Sequence, residues 1–390
     1  MNKTYKSAPK IGARFLLTAG VTSIALSLLS TAAVAQPARP GAIQPAAHAN
    51  QEPVNHLPNP YETQRNFGTL PDGRSWGSVS AVNIDIDGIH VWAGDRCGSN
   101  SCATSNVDPM VKLDPDGNVV QSFGAGQIIW PHGMDVDSEG NVWVVDARAA
   151  NANELAENPS AAGKGHVVLK FSPQGELLMT LGTPGEAGDP PTHFDAPNDV
   201  LIAPNGTIYV GDTHGAQFQN EAGPTAKSRI SMFEPDGTFI KSFGEFGFED
   251  GQFRSPHSLA MDSQGRLFVA DRGNSRIQIF TQDGEHLDTW YQFSRISGLF
   301  IDANTDMLYA IDSESDENYN PGWQKGLRVG NARTGEVLYY VKAHDSERGS
   351  GMGGLGSMGE GVTVDRNGVV YAGEVGPIQG MTKFIPRLIP

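Results

Sequence analysis

The chain has 390 residues, 38% hydrophobic and 18% charged, which is enough apolar material for a folded core and too little charge for a disordered polyampholyte. Glycine (47) and proline (25) are frequent, as in turn-rich all-β proteins, and two cysteines are too few to build a disulfide scaffold. The formal net charge of −16 argues against nucleic acid and anionic membrane as partners.

Residues 1–35 read as an export signal. Lys3, Lys6, Lys10 and Arg14 form a basic start, Phe15 to Leu29 is apolar and small, and Ala33-Val34-Ala35 is an A-x-A cleavage site. The apolar stretch is short for a membrane span. Processing would leave 24 basic against 44 acidic residues, a net −20, on a periplasmic or secreted protein. Residues 36–58, rich in Pro, Ala, Asn and Gln, are expected to form a flexible leader, and residues 59–390 a single folded domain, expected as a monomer. Within it two polar insertions, Asn151–Gly165 and Gln217–Lys227, are expected as mobile loops, and a glycine-dense run, Ser346–Gly359, leads into Glu360.

An internal repeat organises that domain. Its unit is an apolar strand, a Gly-containing turn such as D-x-x-G, and a second apolar strand that ends in an acid. The six copies are Ile84–Asp95, Val136–Asp146, Ile202–Asp212, Met261–Asp271, Ile301–Asp312 and Val364–Glu374. The first five are each followed by a second hairpin, turning at Asp114–Gly117, Ser172–Gly175, Glu234–Gly237, Thr281–Gly284 and, more weakly, Asn331–Gly335. Two hairpins make a four-stranded antiparallel blade, and six blades make an all-β propeller. The sixth runs out of chain after Met381–Ile385, so Tyr61–Leu70 is expected to supply its outer strand and close the ring, which removes the edges of an open array. The Asp85/Asp87 and Asp114/Asp116 pairs look like calcium loops in isolation. Their recurrence at hairpin turns favours turn chemistry instead.

In an exported protein, Cys97 and Cys102 in C-G-S-N-S-C read as a disulfide closing a short loop after Arg96, against the alternative of two free thiols. Aligning the copies on their strand-terminal acid exposes a second register. Fourteen residues upstream stand His132, Asn198, His257, Ala81, Gly298 and Glu360. Each begins an innermost strand and reaches toward the axis. Blades two, four and six therefore send His132, His257 and Glu360 to one central point, the arrangement of a metal site with an open outer position. An isolated histidine at a strand start is more often structural, and the shared register is what sets these two apart. Arg96 and Arg272 follow strand-terminal acids, where they either hold a substrate carboxylate or steady the loop.

Ser255-Pro256-His257-Ser258-Leu259-Ala260 and Val269 to Gln278, with the blades around them, resemble the NHL-repeat propellers and, among these, the peptidyl-α-hydroxyglycine α-amidating lyases. The likeness runs from about Tyr61 to Phe384. It implies a six-bladed propeller with axial zinc on three histidines, an arginine pair and a tyrosine serving the substrate, and cleavage of a hydroxyglycine-extended peptide into an amide and glyoxylate. On this likeness His132 and His257 match two zinc ligands, and Arg96 and Arg272 match the arginines. Glu360 stands at the third histidine, His214 at the tyrosine, and Gly361 at an aspartate of the family's structural calcium site. The expected function is a carbon–nitrogen lyase with a divalent metal, zinc before iron(II), on His132, His257 and Glu360. Arg96 and Arg272 would orient a peptide or small-molecule substrate, and His214 would move the proton. The rival readings are a non-catalytic propeller that binds peptide or glycan, and a lactonase-type hydrolase on calcium.

Overall fold

A computed structural model describes residues 51–218, 227–317, 319–343, 358–376 and 378–387. The expected export signal therefore lies outside the described residues, as do most of the second insertion (Gln217–Lys227) and of the glycine-dense run before Glu360.

Six four-stranded antiparallel sheets surround one axis. Blades one to five span residues 79–123, 131–181, 197–243, 256–290 and 298–342. The sixth joins Gly361–Val364, Val370–Glu374 and Gly380–Pro386 to Tyr61–Phe67. The closing strand pairs antiparallel with the last one, from Tyr61 opposite Pro386 to Phe67 opposite Met381. The core lies between blades, where successive sheets bury aromatic and branched residues such as Trp92, Phe171, Phe268 and Tyr371. Of the leader, residues 54–58 are held against blade five. The Asn55 side chain accepts from Gln324 N and Arg328 Nη2, and Tyr340 N donates to Pro58 O.

The aspartates of the hairpins act as turn formers. Asp114, Asp137, Asp262 and Asp365 each accept backbone N–H groups two and four residues on, which closes an Asx turn. The strand-terminal acids are different: all six are fully buried. Asp95 accepts from Gly77 N (2.6 Å), Asp146 from Trp130 N (2.6 Å), Asp212 from Ala196 N (3.0 Å) and Asp271 from Arg254 N (2.7 Å). Each acid thus grips the backbone just ahead of its own blade's innermost strand. A β-bulge follows at once in blades one, three and four, where one residue steps out of the ladder toward the axis.

The pairing corrects the axial register in two blades. Six residues separate the paired Ile84 and Val91, and likewise Ile301 and Leu308, against five between Val136 and Val142. With one residue more in the turn, the counterparts of His132 and His257 in blades one and five are Ser80 and Ser297, not Ala81 and Gly298.

Removing residues 51–67 exposes the outer edge of the last strand and strips blade five of its strap, so the whole domain should melt several degrees lower in one cooperative step. An unchanged melting temperature by circular dichroism would contradict closure by this strand. Asp271→Ala leaves the buried Arg276 without its 2.9 Å carboxylate and should cost about 3–5 kcal/mol in denaturant titrations.

Candidate metal centre

The innermost strands of blades two and four deliver His132 and His257 to the axis. Both rings are fixed by their far nitrogen: Nδ1–H donates to Asn198 O and to Ser297 O respectively, each at 2.7 Å. Nε2 is thereby left as a bare acceptor facing the centre, and His257 Nε2 is buried with no hydrogen-bond partner among the described residues. Glu360 starts the inner strand of blade six with its Oε1 3.4 Å from that nitrogen. Its two oxygens accept from Arg272 Nη1 and from Ser313 Oγ, each at 2.7 Å.

His214 arrives from a different place. It opens a 3-10 turn, His214–Phe218, after the strand-terminal Asp212. The ligand atoms of His132, His214, His257 and Glu360 lie within 4.8 Å of one another, a group able to hold a metal ion. The expected trio of His132, His257 and Glu360 is therefore brought together, and His214, expected as the proton carrier, lies within ligand distance of the same group.

Burial pushes all three histidines well below their ordinary value, helped by each other and by nearby guanidinium groups. They are neutral at physiological pH, the state a metal requires. Arg96 is fully buried and pushed down to about 9 by loss of solvent. It donates to Pro131 O, Asn100 Oδ1 and Ser80 Oγ, and its guanidinium lies 3.7 Å over the Trp130 ring. All three partners are neutral. Arg272, by contrast, already has Glu360 at 2.7 Å and Glu314 at 3.6 Å.

Several contributors escaped the sequence reading. Trp130 stacks on His132 with ring centroids 5.3 Å apart and lies beneath Arg96. Asn100 holds Arg96 with its side chain and the Trp130 indole N–H with its carbonyl. It sits in the loop between Cys97 and Cys102, whose sulfurs are at disulfide distance with Cα atoms 5.1 Å apart. Ser313, Glu314 and Arg295 complete the wall beside Arg272. The first insertion, expected as a mobile loop, carries a helix over Ala152–Glu157 capped by Asn151, and its Glu154 pairs with Arg148. From His132 toward Val136 the axis widens into a cavity of about 290 Å³, bordered by Asp135 and Asp199 and then by Ile202, Met261 and Ile301.

Residues 253–280 match the NHL repeat family model. Those residues form the inner strands of blade four and include His257 and Arg272. The chain is a six-bladed propeller that carries an NHL repeat in blade four. This propeller is 31% identical over 230 residues to peptidyl-glycine alpha-amidating monooxygenase of Mus musculus, covering 53% of the chain and 21% of that protein. It is 32% identical over 221 residues to NHL repeat-containing protein 3 of Homo sapiens, covering 55% of each. A probable peptidyl-alpha-hydroxyglycine alpha-amidating lyase of Caenorhabditis elegans is 26% identical over 232 residues, 55% of the chain and 59% of that protein. The matched segments thus span between about a fifth and three fifths of these relatives. A gluconolactonase from Xanthomonas campestris shares the fold at a TM-score of 0.51 and 14% identity, covering 90% of the chain and 98% of its own.

Where the resemblance places an aspartate, a Cβ on Gly361 would overlap Ser80 O. This propeller has no room there for that side chain.

With burial holding the three imidazoles neutral, zinc affinity of this propeller should stay level from pH 7.5 to 6.5, where free imidazole already loses affinity to protons, and should fall only at lower pH. Calorimetric titration across that range reads this directly. An affinity already falling between 7.5 and 6.5 would show that the rings are not shielded.

Proposed function

We propose that the protein is an exported metal-dependent lyase acting on a carbinolamine of the hydroxyglycine type. The observation that carries this reading is the cluster of two buried imidazoles, one half-buried imidazole and one carboxylate at the axis, in which His257 Nε2 has no hydrogen-bond partner among the described residues. That donor set suits zinc or iron(II), whereas calcium would call for more oxygen ligands than the cluster offers. A metal held there supplies a Lewis acid for the substrate's hydroxyl or carbonyl oxygen. It would be held by His132, His257 and one of the two remaining side chains, Glu360 or His214, while the other takes the hydroxyl proton.

The substrate carboxylate is taken by Arg96. Its guanidinium is oriented by three hydrogen bonds and by Trp130, and no described carboxylate pairs with it. Two of its N–H bonds remain for an incoming anion, a charge-assisted fork in a desolvated setting. Arg272, neutralised by Glu360 and Glu314, shapes the pocket wall and is the weaker partner for that anion. In the reaction the hydroxyl proton leaves, the C–O bond becomes a carbonyl, and the C–N bond breaks with its electron pair passing to the nitrogen. That nitrogen gains a proton, so an amide and glyoxylate form with no water or redox partner consumed. The amidating enzymes among the relatives and the export signal of residues 1–35 support a peptide or small molecule as the substrate. Among the described residues no helix is long and apolar enough to cross a membrane.

Mature protein purified without chelator should carry stoichiometric zinc or iron and release glyoxylate from an α-hydroxyglycine-extended peptide. Arg96→Ala should raise KM about 10–100-fold, the loss expected for hydrogen bonds to a charged group, with a smaller change in kcat. Metal-free protein that binds the peptide without turnover would overturn this reading in favour of a binding propeller.

A further inference from the structure

We infer that the third metal ligand of this propeller is His214, and that Glu360 lies outside the ligand set as the counter-charge that holds Arg272. The assignment rests on the metal-centre reading above and decides between its two open candidates.

The first argument is metric. The ring centroids of His132, His214 and His257 form a triangle with sides of 4.8, 4.8 and 5.4 Å. A zinc ion with roughly 2 Å bonds to three imidazole nitrogens at tetrahedral angles holds ring centroids about 5 Å apart. The three rings thus stand at the spacing such an ion requires. They meet edge to face or tilted, with interplanar angles of 73°, 74° and 50°, so none stacks across the centre to block it.

The second argument is competition for each candidate's donor atoms. Glu360 has a full-strength hydrogen bond on both oxygens, and the one on Oε1 comes from a cation. Moving Oε1 onto a metal would set a dication against Arg272 across one carboxylate. Among the described residues, His214 Nε2 has only a long contact of 3.3 Å from Arg272 Nη2. Arginine has no acceptor, so this nitrogen must carry its lone pair rather than a proton. It is therefore available as a ligand atom, and Arg272 keeps Glu360 when it lets His214 go.

The third argument is the backbone that delivers the ring. Thr213 has φ of 101° although it is β-branched, and both Thr213 N and His214 N turn back onto Ala196 O. A non-glycine residue in that region is strained, and such strain persists where surrounding structure over-determines it. Here it turns His214 from the end of a blade strand toward the axis. On this assignment blade three supplies the third ligand from a loop, a ring that belongs to no repeat register.

X-ray absorption of the zinc-loaded mature wild-type chain counts the imidazoles directly. Three imidazoles are expected, and two with a carboxylate would overturn the assignment. In parallel, each variant is loaded with zinc, passed through gel filtration and assayed for bound metal, with melting temperature as the folding control. Glu360→Gln keeps the shape of the side chain and should retain stoichiometric zinc, its affinity changing by no more than the 10–100-fold typical of a group outside the ligand set. His214→Ala should emerge without metal. Zinc retained by His214→Ala, or lost from Glu360→Gln, overturns the assignment while the metal-centre reading stands. A wild-type chain that takes up no zinc ends both. If His214→Ala does not fold, the wild-type absorption spectrum decides alone.

Discussion

The structure depends on the grip of a buried acid on the backbone one hairpin upstream. In blades one to four the aspartate that ends the second strand accepts N–H groups from the residues just before the innermost strand. A carboxylate with no access to water must have such partners, because leaving it unpaired in the interior costs several kcal/mol. Arginines supply the balancing charge in most blades: Arg74 for Asp95, Arg229 for Asp212, Arg276 for Asp271 and Arg65 for Glu374. The acid therefore fixes where the innermost strand begins, and the bulge beyond it aims one side chain at the axis. In blades two to four the fourteen-residue offset between acid and axial residue is a consequence of this clamp, and in blade one an extra turn residue lengthens it to fifteen.

The centre of the ring follows electrostatic rules of its own. The chain is strongly acidic, yet the walls around the histidines carry Arg96, Arg148, Arg272 and Arg295. Three of these are matched by Glu154, Glu314 and Glu360, and Arg96 is not. A desolvated guanidinium with only neutral acceptors is costly to maintain, which is why it is locked by three hydrogen bonds and by the face of Trp130. The same desolvation keeps the histidines neutral. Burial thus makes the site receptive to a cation at the imidazoles and to an anion at Arg96.

The disulfide serves that second function more than global stability. A loop of so few residues constrains the unfolded chain little, but Asn100 within it holds both Arg96 and Trp130. The capped helix of the first insertion, tied through Asn158 to Ala103 O, braces the same loop from outside.

Local chemistry was legible in the sequence. Turn motifs, alternating strands and strand-terminal acids are short-range signals, and they sufficed for six blades, for the closing strand Tyr61–Phe67 and for His132 and His257 as axial residues. The register of blades one and five was lost to a single extra turn residue, since a side-chain period of two converts one slip into a different inward-facing residue. Trp130 beside His132 and the Arg272–Glu360 pair, 88 positions apart, were beyond reach for another reason, and His214 entered the site only through the family resemblance, without its contacts. Their meeting depends on ring closure and on a strained backbone at Thr213, and neither leaves a periodic trace. The sequence by itself determined the blades, their number and where each begins. Which side chains converge at the centre was decided only by the closed ring, because neighbours across the axis are set by the curvature of all six sheets together.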